Sequence, residues 1–215
     1  MAKFGIAGEG ITDQIVIENI LCGFYKDYDD LDDEIRYTQP STDATDSKEQ
    51  PPKGGWTRLF TYLSSELFLD DILNDDYIII QVDTDVSEEI GFEVSRNCTT
   101  TELIEKVIER LIVEINKNNN AYIEYQEKII FAISVHSLEC WILPLYSIKK
   151  GEVVHQCFEK LSKEVPKVSK KLKVNKNHNN YDKLSRPFLK HKNLIKIASK
   201  NTSFQIFINA LPHQI

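Results

Sequence analysis

The 215-residue chain predicts an α/β fold, a mostly parallel sheet flanked by helices, with a basic helical extension at the C-terminal end. Three observations carry this. Short apolar runs alternate with longer stretches in which apolar residues recur at helical spacing. Within those runs the apolar residues are consecutive rather than alternate, as in strands covered on both faces. Finally, charge divides along the chain: residues 1–140 carry 11 Lys+Arg and 29 Asp+Glu, a net −18, whereas residues 141–215 carry 15 and 4, a net +11. The boundary falls between an α/β body at 1–146 and a basic extension at 147–215, which is expected to pack on it.

The elements follow in order. AKFGIAG is a short buried strand, and GEGITD links it to a helix over QIVIENILCGFYK, with Thr12 or Asp13 as its cap. Residues 26–55 turn acidic and then rich in Pro, Gly, Ser and Thr, which predicts a mobile surface loop, with a lid over a site as one use for it. WTRLFTYLSSELFLDDIL has helical periodicity. YIIIQVDTD is the clearest strand, and TTTELIEKVIERLIVEINKNN is a helix with Thr near its start and Glu in its first turn. EKIIFAISV is a third strand, leading into the apolar helix HSLECWILPLY, closed off near Pro144. Lys-rich helical segments follow, broken at VNKNHNNYDK, and SFQIFINALP packs Phe204, Phe207 and Leu211.

Composition narrows the function. No stretch approaches the roughly 20 apolar residues that span a bilayer, and MAKFGIAGEG lacks a secretory pattern. Cys22, Cys98, Cys140 and Cys157 are far apart and form no CxxC pair, which argues against a thiolate zinc site and against a disulfide framework. A reducing cytoplasm is the expected setting, with no membrane partner. An acidic body beside a basic tail fits a divalent metal in the one and phosphate on the other. The plainer reading is that the Lys residues keep amphipathic helices soluble.

In parallel sheets, functional residues sit at the carboxyl ends of strands. The expected strand ends deliver Glu9, then Asp83 and Asp85, then the segment from His136 to Glu139. Asp83 and Asp85 are two apart, so extended geometry turns both carboxylates to one side. Their repulsion calls for a cation, and Mg²⁺ takes hard oxygen ligands. Read otherwise, Asp83 caps a helix and Asp85 sits in a turn. Glu9, between two glycines, is placed as a general base or shared ligand, with a solvated turn as the alternative. Glu139 is either a further ligand or the partner of a lysine such as Lys183. His136 reads as a hydrogen-bonded strand-end residue. GEGITD lacks the GxGxxG spacing and the GK[ST] ending, so no nucleotide P-loop is expected.

The order GEGxTD, VDTD and SLECWILPLY, with the downstream Tyr181-Asp182-Lys183 and SFQIFINAL, resembles the TOPRIM proteins of the RloB-like and overcoming-lysogenization-defect type. The resemblance implies a TOPRIM-like fold and a Mg²⁺- or Mn²⁺-dependent nuclease of bacterial anti-phage defence, often beside a partner ATPase. It matches Glu9 to the family's first glutamate and Asp83 and Asp85 to its metal pair. The expected activity is cleavage of phosphodiesters in DNA or RNA. Metal is expected on Glu9, Asp83 and Asp85, with Glu139 as the further candidate ligand, and the expected catalytic residues are Glu9, Asp83, Asp85 and Lys183. Lys183, Lys190 and Lys192 are expected to neutralise substrate phosphates. Tyr181 either stacks on a base or packs under the C-terminal helix. Competing readings are a catalytically weak regulatory partner of an ATPase, a small-substrate phosphohydrolase and, last, a strand-transfer enzyme. A homodimer is left open.

Overall fold

Isoleucines set the sheet. β-Branched side chains fit a pleated surface buried on both sides, and Ile78, Ile79 and Ile80 alternate between the two faces of one strand. The computed structural model describes residues 1–40, 55–148 and 151–215. Its strands β1 (Phe4–Ala7), β2 (Ile35–Gln39), β3 (Tyr77–Asp83) and β4 (Ile129–Ser134) form a four-stranded, all-parallel sheet in the order β2-β1-β3-β4.

Helices cover both faces. On one lie α1 (Ile11–Phe24), α6 (Glu139–Tyr146) and the helices of the basic segment: α7 (Cys157–Val168), α8 (His178–Ser185), α9 (His191–Ala198) and α10 (Thr202–Ala210). Phe4, Ile6, Ile79 and Ile130 meet Trp141, Tyr181, Phe188, Phe204 and Phe207 there in one cluster. The other face carries α2 (Gly55–Leu63), α3 (Glu66–Asn74) and α4 (Thr100–Asn119), with the short α5 (Ala121–Tyr125) following α4. Ile78, Ile80 and Val82 pack there on Leu59, Phe60, Leu103 and Val107. The basic segment therefore completes the same core as the acidic body. At the foot of α1, a Cβ built on Gly23 would lie 1.9 Å from the Phe188 carbonyl oxygen, so only glycine lets the 3₁₀ turn Arg186–Leu189 approach this closely.

Several expectations change. The sheet has a fourth strand, β2, inside the stretch expected to be a loop. Its residues IRYTQ are only partly buried, because β2 is an edge strand and the apolar-run signal was absent. Arg36 on that edge is held by Asp75 at 2.8 and 3.1 Å and by Asp71 at 3.1 Å. Residues 41–54 of the expected loop, and with them any lid, lie outside the described residues. The single helix expected from Trp56 is two, because Ser65 caps α3 by accepting from the Phe68 amide. Pro144 lies inside α6 rather than closing it.

The cysteine reading is also corrected. Cys140 and Cys157 form a disulfide with Cα atoms 5.0 Å apart, while Cys22 and Cys98 are free. Spacing along the chain hid the pair, because α6 and α7 pack together with the first residues of each side by side. The argument for a reducing compartment, which rested on unpaired cysteines, loses its footing.

Candidate active site

The order β2-β1-β3-β4 has a topological switch point. From β1 the chain crosses through α1 to β2, then returns through α2 and α3 on the opposite face to β3. The crevice beyond the carboxyl ends of β1 and β3 is where ligands bind in open sheets of this kind. Glu9 follows β1 and Asp83 ends β3, and they touch: Glu9 Oε1 accepts from the Asp83 amide at 2.9 Å. Gly55, the first residue of α2, packs on Glu9, since a Cβ there would stand 2.6 Å from the Glu9 carbonyl oxygen.

Backbone and neutral donors hold the other carboxylates. Asp83 Oδ1 accepts from the Gln81 side-chain amide at 2.9 Å, from the Leu138 amide at 3.0 Å and from the Ser134 hydroxyl. Gly10 caps α1, so neither Thr12 nor Asp13 does; Asp13 lies in the first turn and accepts from the Gly10 amide at 2.8 Å. Glu139 opens α6, is 4 % exposed, and accepts from the buried Tyr181 hydroxyl. Lys176 Nζ stands 4.0 Å from Glu139. Asp85 is the exposed member: its amide continues the β3–β4 ladder to the His136 carbonyl at 2.9 Å, and its carboxylate is at the rim.

Electrostatics follow from this crowding. Burial pushes Glu9 up to about 8, opposed by the Asp83 amide and aided by repulsion from Asp13, Asp85 and Glu89. Burial, then repulsion from Glu139, lifts Asp13 to about 7 against the Gly10 amide and Lys176. Asp83 stands well above the usual carboxylate range, through burial and then repulsion from Asp13, Glu9 and Glu139. Asp85 is raised by burial and eased down by His136 and Lys176.

Acceptors outnumber donors here. Gln81 gives its amide nitrogen to Asp83 and Ser134, while its Oε1 is buried with no partner among the described residues. That oxygen would be 3.4 Å from a Cβ on Gly8, beside Asp13. Among the described residues no three His, Cys, Asp or Glu side chains converge closely enough to hold a metal ion as they stand. The donor set is nevertheless one of hard oxygens, and five carboxylates share the crevice with Lys176 as the nearest ammonium, which is the chemistry that suits Mg²⁺ or Mn²⁺.

Of the residues singled out from sequence, Glu9, Asp83, Asp85 and Glu139 come together. The lysines do not. Lys183 is exposed and two positions beyond Tyr181 on α8, about 200° around the helix, so it projects away from Glu139. The partner of Glu139 is Lys176 instead. Lys190 and Lys192 flank His191, whose Nδ1 is 3.3 Å from the Gly23 carbonyl, at the far end of α1. Fourteen residues of α1 separate that end from Glu9, a span of roughly 20 Å. Tyr181 packs under the C-terminal helices, as one of its readings had it, and its hydroxyl serves the site. Sequence reasoning took Asp13 for a cap and passed over Lys176. The signal for Asp13 was its place four residues after Glu9; Lys176, inside a polar break, gave none.

No family model matches the chain, and neither a curated protein nor a solved structure matches it.

Proposed function

We propose that the chain is a Mg²⁺- or Mn²⁺-dependent hydrolase of nucleic-acid phosphodiesters. One observation carries the reading. Carboxylates from the ends of β1, β3 and β4 crowd the switch point of a parallel sheet, with Lys176 as the nearby ammonium. Glu9, Asp83, Asp85 and Glu139 would hold the ion, with Asp13 behind them. A divalent cation there supplies charge for the phosphate oxygens and lowers the pKa of bound water.

The chain's own residues then have defined tasks. Glu9, held at the end of β1 by the Asp83 amide, takes the proton of an attacking water. Lys176, 70 % exposed, offsets charge on an approaching phosphate. Tyr181 and the Leu138 amide fix Glu139 and Asp83, so that neither swings away. A role in anti-phage defence beside an ATPase belongs to the same proposal and rests on the motif resemblance to TOPRIM proteins. The regulatory and small-substrate readings gain no specific observation.

The test is cleavage of single- and double-stranded DNA and of RNA, wild type beside Asp83→Ala, with Mg²⁺, Mn²⁺ or EDTA. Metal-dependent cleavage that falls by about a hundredfold or more in the variant is expected, the scale on which such electrostatic groups act. Cleavage that persists in EDTA, or in Asp83→Ala, would overturn the reading.

A further inference from the structure

A cavity of about 310 Å³ opens beside the carboxylates, on the α4 side of the sheet. Its wall includes Thr84, between the two aspartates, and His136, just beyond β4; Arg96, Cys98, Thr100 and His155 complete the polar lining, over an apolar floor at Leu103. The volume is at the small end of ligand pockets, which run from about 300 to 1,000 Å³, so it suits one nucleotide-sized group.

Its chemistry is opposite to that of the neighbouring site. The polar side chains of the lining are hydroxyl, imidazole, guanidinium and the free thiol of Cys98, and among the described residues none is a carboxylate. His136 Nδ1 is buried and has no partner among the described residues. The His136 backbone is left-handed, at φ +69°, a conformation that costs a non-glycine residue and recurs at ligand sites. Two backbone contacts impose it: the His136 amide donates to Thr84 Oγ1 at 2.7 Å, and the carbonyl accepts from Asp85. Arg96 gives Nε and Nη2 to Glu88, at 3.0 and 2.8 Å, which leaves Nη1 without a bond among the described residues. Both His136 and Arg96 stand close enough to Asp85, the rim carboxylate, to ease its pKa down, so the cavity adjoins the acidic crevice.

We propose that this cavity is a phosphate subsite, which holds the phosphate of the nucleotide next to the bond that is cut. Arg96 and His136 donate to its oxygens, and the Thr84 and Thr100 hydroxyls complete its hydrogen bonds. The substrate thus bridges two regions of unlike chemistry, with the scissile phosphate over the carboxylates and its neighbour among the hydrogen-bond donors of the cavity. This assignment rests on the phosphodiesterase reading, but the subsite itself needs no metal.

That independence supplies the test. Thymidine or uridine 5′-monophosphate is titrated into the ¹⁵N-labelled full chain in EDTA, with inorganic phosphate and the free nucleosides alongside, and amide shifts are followed. Saturable shifts at Thr84, Thr100 and His136 are expected with the monophosphates and not with the nucleosides. Arg96→Gln, an exposed position, should weaken binding by about tenfold or more, the value of a charged hydrogen bond. His136→Asn is the second variant, since Asn tolerates the left-handed backbone. The absence of saturable shifts, equal binding of the nucleosides, or affinity unchanged in both variants would overturn the subsite. Broadening of the Glu9 and Asp83 amides by Mn²⁺, recorded separately, reports the acidic site, so failure of either is told from failure of the other.

Discussion

Glu139 begins α6 but is held by residues far along the chain, the Tyr181 hydroxyl and the Lys176 ammonium. Tyr181→Phe leaves a buried carboxylate short of one donor. The expected cost is about 1–3 kcal/mol, read as a lower urea midpoint at an unchanged m-value. A midpoint equal to wild type would show the hydroxyl to be dispensable. At this scale the sequence was legible where a residue's place depends on its own strand. Glu9 and Asp83 fall at strand ends, and a strand end in a parallel sheet points at the crevice. Lys176 was illegible because its reach depends on the turn that leads into α8. The YDK motif pointed to Lys183, yet two steps along a helix turn a side chain to the other side, and it is Tyr181 that faces the site.

Among the elements, α1 does the most positioning. Its first turn carries Asp13, Asn19 at its middle donates to Ser185 of α8 at 2.8 Å, and its last turn rests on the Phe188 backbone. Gly23→Ala would place a methyl group against a carbonyl that cannot withdraw without moving the 3₁₀ turn. A loss of about 1–3 kcal/mol, the usual cost of overpacking, is expected in chemical denaturation. A neutral result would mean that the Arg186–Leu189 turn shifts freely. The strands with consecutive isoleucines announced themselves in the sequence. β2 did not, because its stability comes from pairing with β1 and from the Arg36 bridges rather than from its own apolar residues. The break between α2 and α3 was written in Ser64-Ser65, two residues weak in helix interiors and strong as caps.

The whole molecule carries an electrostatic load. Glu9 and Asp13, ordinarily at 4.5 and 3.8, bind their protons more tightly in the folded state, at about 8 and about 7. Between those limits the unfolded chain has released protons that the folded chain keeps, so folding stability falls as pH rises. It is fullest below the ordinary carboxylate range and has been lost once pH passes the folded values. In EDTA the melting temperature should therefore drop from about pH 5 to about pH 8.5, and Mn²⁺ should raise it more at the upper pH. A midpoint that rises with pH in EDTA would contradict the burial of these acids. The acidic body and basic segment were legible as a charge division, but their shared core was not, since amphipathic helices do not declare which surface they cover.

The disulfide between Cys140 and Cys157 adds a covalent tie across that division. It joins the helix that begins with Glu139 to the first helix of the basic segment, so the backbone between them is not the only connection. A protease that cuts once between the two cysteines leaves both pieces attached. The nicked protein would migrate as one band without reductant and as two with it, and the acidic body would keep Lys176 and Tyr181 within reach even with its chain severed.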